Sequence, residues 1–536
     1  DGRRHVAAAL GEEAVFIPYR RPGFRLSREV GEAAQTSPRA RCAVLEKHGL
    51  ITWGGTARES YDATIEMNTR AEEYARRHAR GTAVFGRTLR PALPPEERRR
   101  VAARIAPRLR GLLARRADGV LRVVLRFDDG DDVLEFAGSE AGPQLCLAGP
   151  ATPDHLLYTR PRPLLVQVDP EGLGDDEGID RLADTLRRDL EKYAAWCDLY
   201  VRKHASGEAV VADPVPRVVL IPGIGMFTAW KDARHTRMVA DMYHHSIAVM
   251  RAASGLGEYR SLLLQDTYDI EYWPLELYRM SLGPQEKELA RRVALVTGSA
   301  RGIGRAIALR LAAEGCHVLV TDRDAEGAAS VAAEIVARHG PDRALGLPLD
   351  VTAEDSVRQA VDAALLAFGG IDVVVSNAGI AHVAAIDRMD LQDWRRSFDV
   401  NATGHFLVAR AALRVLKEQG TGGSLVFVAP KNVLAPGRDF GAYSASKAAQ
   451  VQLARVLAIE GGESGVRVNM INPDAVFQDS GLWSEGVRED RARAHGIRPE
   501  DLEEFYRKRN LLGVRVTAED VAEAALWLAS DRSAKT

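Results

Sequence analysis

Val293-Ala294-Leu295-Val296-Thr297-Gly298-Ser299-Ala300-Arg301-Gly302-Ile303-Gly304 is the stretch on which the reading of this chain turns. Its four leading apolar residues read as a strand covered on both faces, as in a parallel sheet. Glycines at 298, 302 and 304 permit a tight turn and close backbone approach, and residues 305–313 continue as a helix. The start of such a helix offers free N–H groups and a partial positive charge, which suit a pyrophosphate. Glycine spacing alone is a weak signal. Context strengthens it: the next strand, residues 317–321, runs into Asp322, placed to hold ribose hydroxyls.

Further along, Tyr443-Ser444-Ala445-Ser446-Lys447 puts a phenol and an ammonium four residues apart, on one face of a helix. A free tyrosine, with a pKa of about 10, is a poor base near neutrality. A fixed cation beside it, helped by the positive ring of an oxidised nicotinamide, favours the phenolate and brings proton abstraction within reach. Only ten of the 72 basic residues are lysine, so a chance Tyr-x-x-x-Lys is rarer here than usual.

The 536 residues allow roughly two to four domains. A formal charge of −2 gives no global field to draw nucleic acid, and the arginine-rich run over residues 76–116 reads as a solvated helix face. Cys42, Cys146, Cys197 and Cys316 are scattered without a Cys-x-x-Cys pair, which argues against a disulfide framework and a cysteine zinc site. No apolar run is long enough to span a bilayer, and the polar opening does not resemble a signal peptide. A cytoplasmic enzyme with small-molecule substrates, without nucleic-acid or membrane partners, is expected. The chain lacks an initiator methionine and opens mid-pattern, so both ends read as cut.

Short strands and helices alternate over residues 1–90, with strands at 14–17 and 43–45 and a helix at 60–77. Pro94-Pro95-Glu96-Glu97 starts a second helix. Residues 120–127 and 132–136 read as a hairpin around a solvated acidic turn at 128–131. A strand at 164–168 and a long helix at 179–204 follow. Residues 217–221 read as a strand that enters Pro222-Gly223-Ile224-Gly225 and then a helix near 228–253. That turn reads as a plain tight turn or, less simply, a phosphate cradle. His235, His244 and His245 read as surface or packing residues. From Val293 onward the elements alternate with the spacing of parallel βαβ units.

Over residues 290–536 the chain resembles the short-chain dehydrogenase/reductase family. The matching pieces are the turn at 297–304, Leu349-Asp350-Val351, Ser376-Asn377-Ala378-Gly379, Val400-Asn401, the Tyr443/Lys447 pair, Arg467-Val468-Asn469 and Asn472-Pro473. The resemblance implies a Rossmann-type doubly wound parallel sheet and an NAD site. Gly298, Arg301, Gly302, Ile303, Gly304, Asp322, Asp350, Val351, Asn377, Ala378, Gly379, Tyr443, Lys447 and Pro473 would contact the cofactor. Asp350 and Val351 would meet the adenine, and Asn377 with Gly379 would line the groove. Tyr443 would be the general acid/base, Lys447 would bind the nicotinamide ribose, and Asn401 would hold a relay water. Asp322 favours NAD by repelling a 2′-phosphate, while Arg301 and Arg323 pull the other way. The family also implies a homo-oligomer.

Two residues depart from that family. Thirteen residues before Tyr443, where a substrate-orienting Ser or Thr is expected, stands Pro430. Losing one such donor costs on the order of 10²–10³ in rate, and Lys431 and Asn432 are the candidates to replace it. Asp474 occupies the place of a glycine after Pro473, which implies a tilted loop beside the nicotinamide. The family's last strand, after residues 530–533, is missing.

Residues 1–90 resemble the second half of a class II aldolase/adducin-type domain, through Val15-Phe16-Ile17-Pro18-Tyr19, Pro22-Gly23, Lys47-His48-Gly49, Tyr61 and Glu66. In that family three histidines hold a zinc ion. His48 matches the third, and the first pair would lie before Asp1, so aldolase activity is not expected of this chain alone. With Pro150-Ala151-Thr152-Pro153-Asp154-His155 and Asp269-Ile270-Glu271-Tyr272-Trp273-Pro274-Leu275, the whole resembles bifunctional rhamnulose-1-phosphate aldolase/short-chain dehydrogenase fusions. The expected architecture is α/β throughout: a truncated aldolase-like domain at 1–90, a mixed intervening region at 91–285 and the dehydrogenase at 286–536. The group implies cleavage of rhamnulose 1-phosphate and NAD-dependent oxidation of lactaldehyde. Two alternatives stand beside it: a non-catalytic nucleotide-binding scaffold, suggested by Pro430, and a dehydrogenase for another alcohol with a vestigial aldolase module.

Overall fold

A computed structural model describes residues 2–79, 81, 84–116, 119–207 and 214–536. The chain divides into two compact units. One comprises Asp1–Arg98, Asp128–Thr228 and Arg237–Pro284, and the other Arg99–Phe127, Ala229–Thr236 and Gln285–Thr536.

The second unit is built on six strands: β1 (Val293–Thr297), β2 (His317–Asp322), β3 (Ala344–Pro348), β4 (Val373–Ser376), β5 (Gly423–Val428) and β6 (Val466–Ile471). Their order is β3-β2-β1-β4-β5-β6, all parallel. This is the doubly wound arrangement whose strand order reverses between β1 and β4. The helices are α1 (Gly302–Ala313), α2 (Ala325–His339), α3 (Glu354–Phe368), α4 (Leu391–Phe398), α5 (His405–Gln419), α6 (Gly441–Gly462), α7 (Glu485–His495), α8 (Leu502–Arg509) and α9 (Ala518–Ala529). Every residue of β1 and β4 is buried, as expected of strands covered on both faces. One core cluster joins Val296, Val318, Val375 and Val426 of the sheet to Ile307 and Leu311 of α1 and Leu526 of α9.

Residues 99–127 add a buried ionic anchor to this unit. Arg110, on the helix Pro95–Leu113, lies 2.7 Å from Asp372 with both side chains almost fully buried. Its guanidinium also donates to the carbonyls of Val123 and Arg291 and to Gln419 Oε1. Asp372 in turn accepts from the backbone N of Val293, the first residue of β1, and pairs with Arg122 at 3.0 Å. Burial alone would push the Asp372 carboxyl up, but the two guanidiniums hold it below its ordinary value.

In the first unit, strands Ala14–Ile17, Cys42–Leu45 and Gly49–Thr52 form a sheet, the first pair parallel and the second antiparallel. The expected helices appear as Ala57–His78, capped by Thr56, and Asp176–His204, capped by Asp175. Two expectations are corrected. The acidic hairpin is a strand, Val124–Asp128, followed by a helix, Asp131–Gly138. Asp131 and Asp132 sit in the first turn, where the helix dipole favours them, and Val133, Phe136 and Ala137 are buried. That turn is also not simply solvated: His244 lies 3.1 Å from Asp128 and 2.7 Å from Asp132, bonds that lift its imidazole to about 9.

The second correction concerns Gly223-Ile224-Gly225. It closes an antiparallel hairpin between Val218–Ile221 and Gly225–Trp230 and does not open a helix. Gly223 and Gly225 adopt φ of +77° and +145°. Gly225 to Ala229 are buried on both faces of their strand, and the next helix starts only at Ala233. The phosphate-cradle reading falls with the helix.

Removing one partner of a buried ion pair typically costs about 3–5 kcal/mol. Arg110→Ala is therefore expected to lower the stability of the second unit by an amount of that order, read from the shift in its chemical-denaturation midpoint.

Candidate active site

The crevice lies at the carboxyl ends of β1 and β4, and its floor is the turn between β1 and α1. Gly298 and Gly302 have φ of +64° and +55°, conformations that penalise a side chain. A Cβ on Gly304 would fall 2.1 Å from the Gly298 carbonyl oxygen, so α1 can approach the turn only with glycine there. Just past β4, Asn377 Nδ2 donates to the Thr297 and Gly298 carbonyls at 3.0 and 2.9 Å. Thr297 Oγ1 accepts from the backbone N of Asn377 and Ala378. The two sides of the crevice are thus tied together. At the start of α1, the Gly302 N–H donates to the Asp479 carboxylate at 3.3 Å. This helix end accepts negatively charged oxygen, as a pyrophosphate requires.

Asp322 ends β2, and its carboxylate accepts from the backbone N of Ala300 and Asp324 at 3.1 and 3.0 Å. Arg301 pairs with Asp324 at 3.2 Å, so one of the two cations expected to attract a 2′-phosphate already shares a carboxylate. Hydrogen bonds from the Thr352 hydroxyl and N–H hold the Asp350 carboxyl below its ordinary value.

Tyr443 and Lys447 lie on the buried side of α6, only 7% and 2% exposed. Burial raises the Tyr443 phenol well above its ordinary value and pushes the Lys447 ammonium down to about 7. The ammonium meets His405, whose Nε2 lies 3.4 Å from Nζ. Burial by itself thus disfavours the charged form of both groups.

Asn401 is fully buried in a π-helical turn, Asp399–Gly404, a geometry frequent at functional sites. Its Oδ1 accepts from the Ile380 N–H at 3.0 Å. Its Nδ2 donates to the Ile380 carbonyl at 2.9 Å and to Ser446 Oγ at 3.1 Å.

Thirteen of the expected cofactor residues line one groove of about 450 Å³: Gly298, Arg301, Gly302, Ile303, Asp322, Asp350, Val351, Asn377, Ala378, Gly379, Tyr443, Lys447 and Pro473. Gly304 and Asn401 stand behind it. His405 was missed by the sequence reading. Burial, reinforced by Lys447, keeps its imidazole well below the ordinary histidine range. Its Nδ1 lies 2.5 Å from Ser376 Oγ and 3.3 Å from Gln450 Nε2. Its spacing, four residues after Asn401, was the available signal. Trp483 and Tyr506 also line the groove; Trp483 stacks on Phe477 and Tyr506 meets that ring edge to face, and their wide separation in sequence hides them.

His48 sits half-buried in the turn between two strands of the first unit. Among the described residues, no group of three or more His, Cys, Asp or Glu is arranged to hold a metal ion. The residues present do not make up a zinc site. No helix among the described residues is long and apolar enough to cross a membrane.

The parallel sheet, glycine turn and Tyr/Lys helix are the features of a dehydrogenase domain. The family model "short chain dehydrogenase" matches residues 292–481. "Class II Aldolase and Adducin N-terminal domain" matches residues 2–75, and "Aldolase class II, second domain" matches residues 100–280. The last of these gives a family to the region that the sequence reading could describe only as intervening. "Uncharacterized oxidoreductase YuxG" of Bacillus subtilis is 42% identical over 536 residues, covering 100% of this chain and 77% of the relative. D-threitol dehydrogenase of Mycolicibacterium smegmatis is 37% identical over 245 residues, 45% of this chain and 87% of the relative. A solved 3-ketoacyl-(acyl-carrier-protein) reductase from Brucella melitensis, complexed with NADH, is 31% identical over 46% of this chain and 93% of that chain, with a TM-score of 0.40. The chain belongs to the short-chain dehydrogenase family, in a form fused to class II aldolase domains.

Lys447 titrates near 7 in the folded protein against an ordinary 10.5. Between those values the folded state binds fewer protons than the unfolded state, so this group's contribution to stability is complete above about 10.5 and is lost as pH falls toward 7. In thermal melts, wild type should therefore gain on Lys447→Met as pH is raised from about 7 toward 10; a gap independent of pH would contradict the shift.

Proposed function

We propose that the second unit is an NAD-dependent dehydrogenase that oxidises lactaldehyde, and that the aldolase-type part belongs to a rhamnulose-1-phosphate aldolase that generates this aldehyde. The observation that carries the dehydrogenase reading is the single groove joining Asp322 and the glycine turn at one end to Tyr443 and Lys447 at the other. The substrate assignment rests on the resemblance of the whole chain to the bifunctional fusions.

When bound, NAD supplies a hydride acceptor at its nicotinamide ring. The chain's residues do the rest. The Gly302 N–H and the start of α1, where the Asp479 carboxylate now accepts, would hold its pyrophosphate, and Asp322 would accept from its ribose hydroxyls. Lys447 would donate to its nicotinamide ribose. Tyr443 takes the proton from a hydroxyl of the hydrated aldehyde, once the local positive charge has offset the burial that otherwise favours the phenol. Asn401 positions the loop at Ile380 and the Ser446 turn of α6, and holds a water for proton exchange. The arrest of Arg301 by Asp324 supports NAD over NADP.

Tyr443→Phe is expected to lower NADH formation from lactaldehyde by about 10²–10⁴-fold while NAD still binds, as measured by absorbance and by titration calorimetry. Asp322→Ala should raise the KM for NAD and narrow the preference over NADP in the same assay. Pro430 favours a second reading, a nucleotide-binding scaffold; NAD binding without turnover on lactaldehyde or any of a panel of sugar alcohols would select it.

A further inference from the structure

Pro430 stands where the family places its substrate-orienting hydroxyl, and proline brings neither O–H nor N–H to that position. The structure puts an ion pair beside it. Val428 ends β5 and Ile471 ends β6, and the two are register partners. Lys431 and Asp474 each follow three residues later, so the two segments leave the sheet side by side. The Lys431 N–H donates to the Pro473 carbonyl at 3.3 Å, and Lys431 Nζ donates to Asp474 Oδ2. Asp474 Oδ1 accepts from the Ala475 N–H at 2.8 Å. Both side chains line the groove that holds Tyr443, 27% and 21% exposed. The ammonium also faces the Tyr506 ring, 5.8 Å from its centre. The two departures from the family, at 430 and 474, are therefore one feature: the carboxylate replacing a glycine holds the lysine that follows the proline.

We propose that Lys431 and Asp474 form the substrate-orienting site, and that they select small substrates carrying a hydroxyl on the carbon next to the reacting one. An ammonium has three N–H donors and a carboxylate several acceptor sites, so each keeps capacity beyond their mutual bond. Lys431 donates to the reacting oxygen in place of the missing hydroxyl. Asp474 accepts from the neighbouring hydroxyl. A lone donor would serve any alcohol; a donor and an acceptor side by side match 1,2-diols, 2-hydroxyaldehydes and their hydrates. This rests on the dehydrogenase reading above. In the step itself the substrate C–H bond breaks with its electron pair passing to NAD+, and the O–H proton goes to Tyr443. The carbon–oxygen double bond forms, while Lys431 and Asp474 keep their charges throughout.

The test compares NADH formation from lactaldehyde and propane-1,2-diol with that from propanal and propan-1-ol. It uses the full chain as wild type, Lys431→Met, Lys431→Arg and Asp474→Asn, with NAD affinity measured on each. Wild type should prefer the hydroxylated member of each pair. Lys431→Met should lose on the order of 10²–10³ in kcat/KM on those substrates, with Lys431→Arg recovering part of it. Asp474→Asn should collapse the preference itself, and NAD affinity should stay within about twofold of wild type in all three variants. Wild-type kcat/KM in Lys431→Met, or an intact preference in Asp474→Asn, overturns the assignment while leaving the dehydrogenase standing. A wild-type enzyme that turns over none of the four substrates overturns this assignment together with the lactaldehyde reading it rests on.

Discussion

The close approach of α1 to the turn before it is the constraint on which the catalytic half depends. With no side chain at Gly304, the helix comes within contact of the Gly298 carbonyl. The Asn377 amide then spans from the far side of the crevice to that same carbonyl. Tight packing here does two things together. It aims the N-terminal amides of α1 into the crevice, and it fixes the separation of β1 and β4 at the point where strand order reverses. Asp322, Asp350 and the loop after β4 inherit their positions from that geometry.

Burial sets the chemistry at the other end. Desolvation penalises charge on both members of the Tyr443/Lys447 pair, and the His405 imidazole, itself held neutral by burial, lies 3.4 Å from the lysine nitrogen. Burial thus opposes the phenolate and the ammonium alike.

Sequence disclosed the parts of this arrangement that rest on local pattern. The glycine turn, the carboxylate at the end of β2 and the i, i+4 pair on α6 are each visible within a short window, and with Asp350, Val351, Asn377, Ala378, Gly379 and Pro473, named from the family resemblance, they share the groove. What sequence concealed depends on long-range packing. Nothing near Arg110 indicates that its partner is Asp372, and the aromatic wall at Trp483 and Tyr506 comes from segments with no common pattern. The helix Asp131–Gly138 is hard to tell from a strand in sequence, because apolar alternation over five residues does not separate the two periods. The hairpin at Gly223 was hidden by a strand buried on both faces. Lys431 and Asp474 lie 43 residues apart, and only the register of β5 against β6 brings them together.

Direct observation of hydride transfer tests the central claim most closely. Lactaldehyde carrying deuterium on its aldehyde carbon, incubated with NAD and the enzyme, should give NADH labelled at the nicotinamide C4 on one face only, as read by NMR, together with lactate. Unlabelled NADH, or lactate formed without reduced nucleotide, would contradict the account.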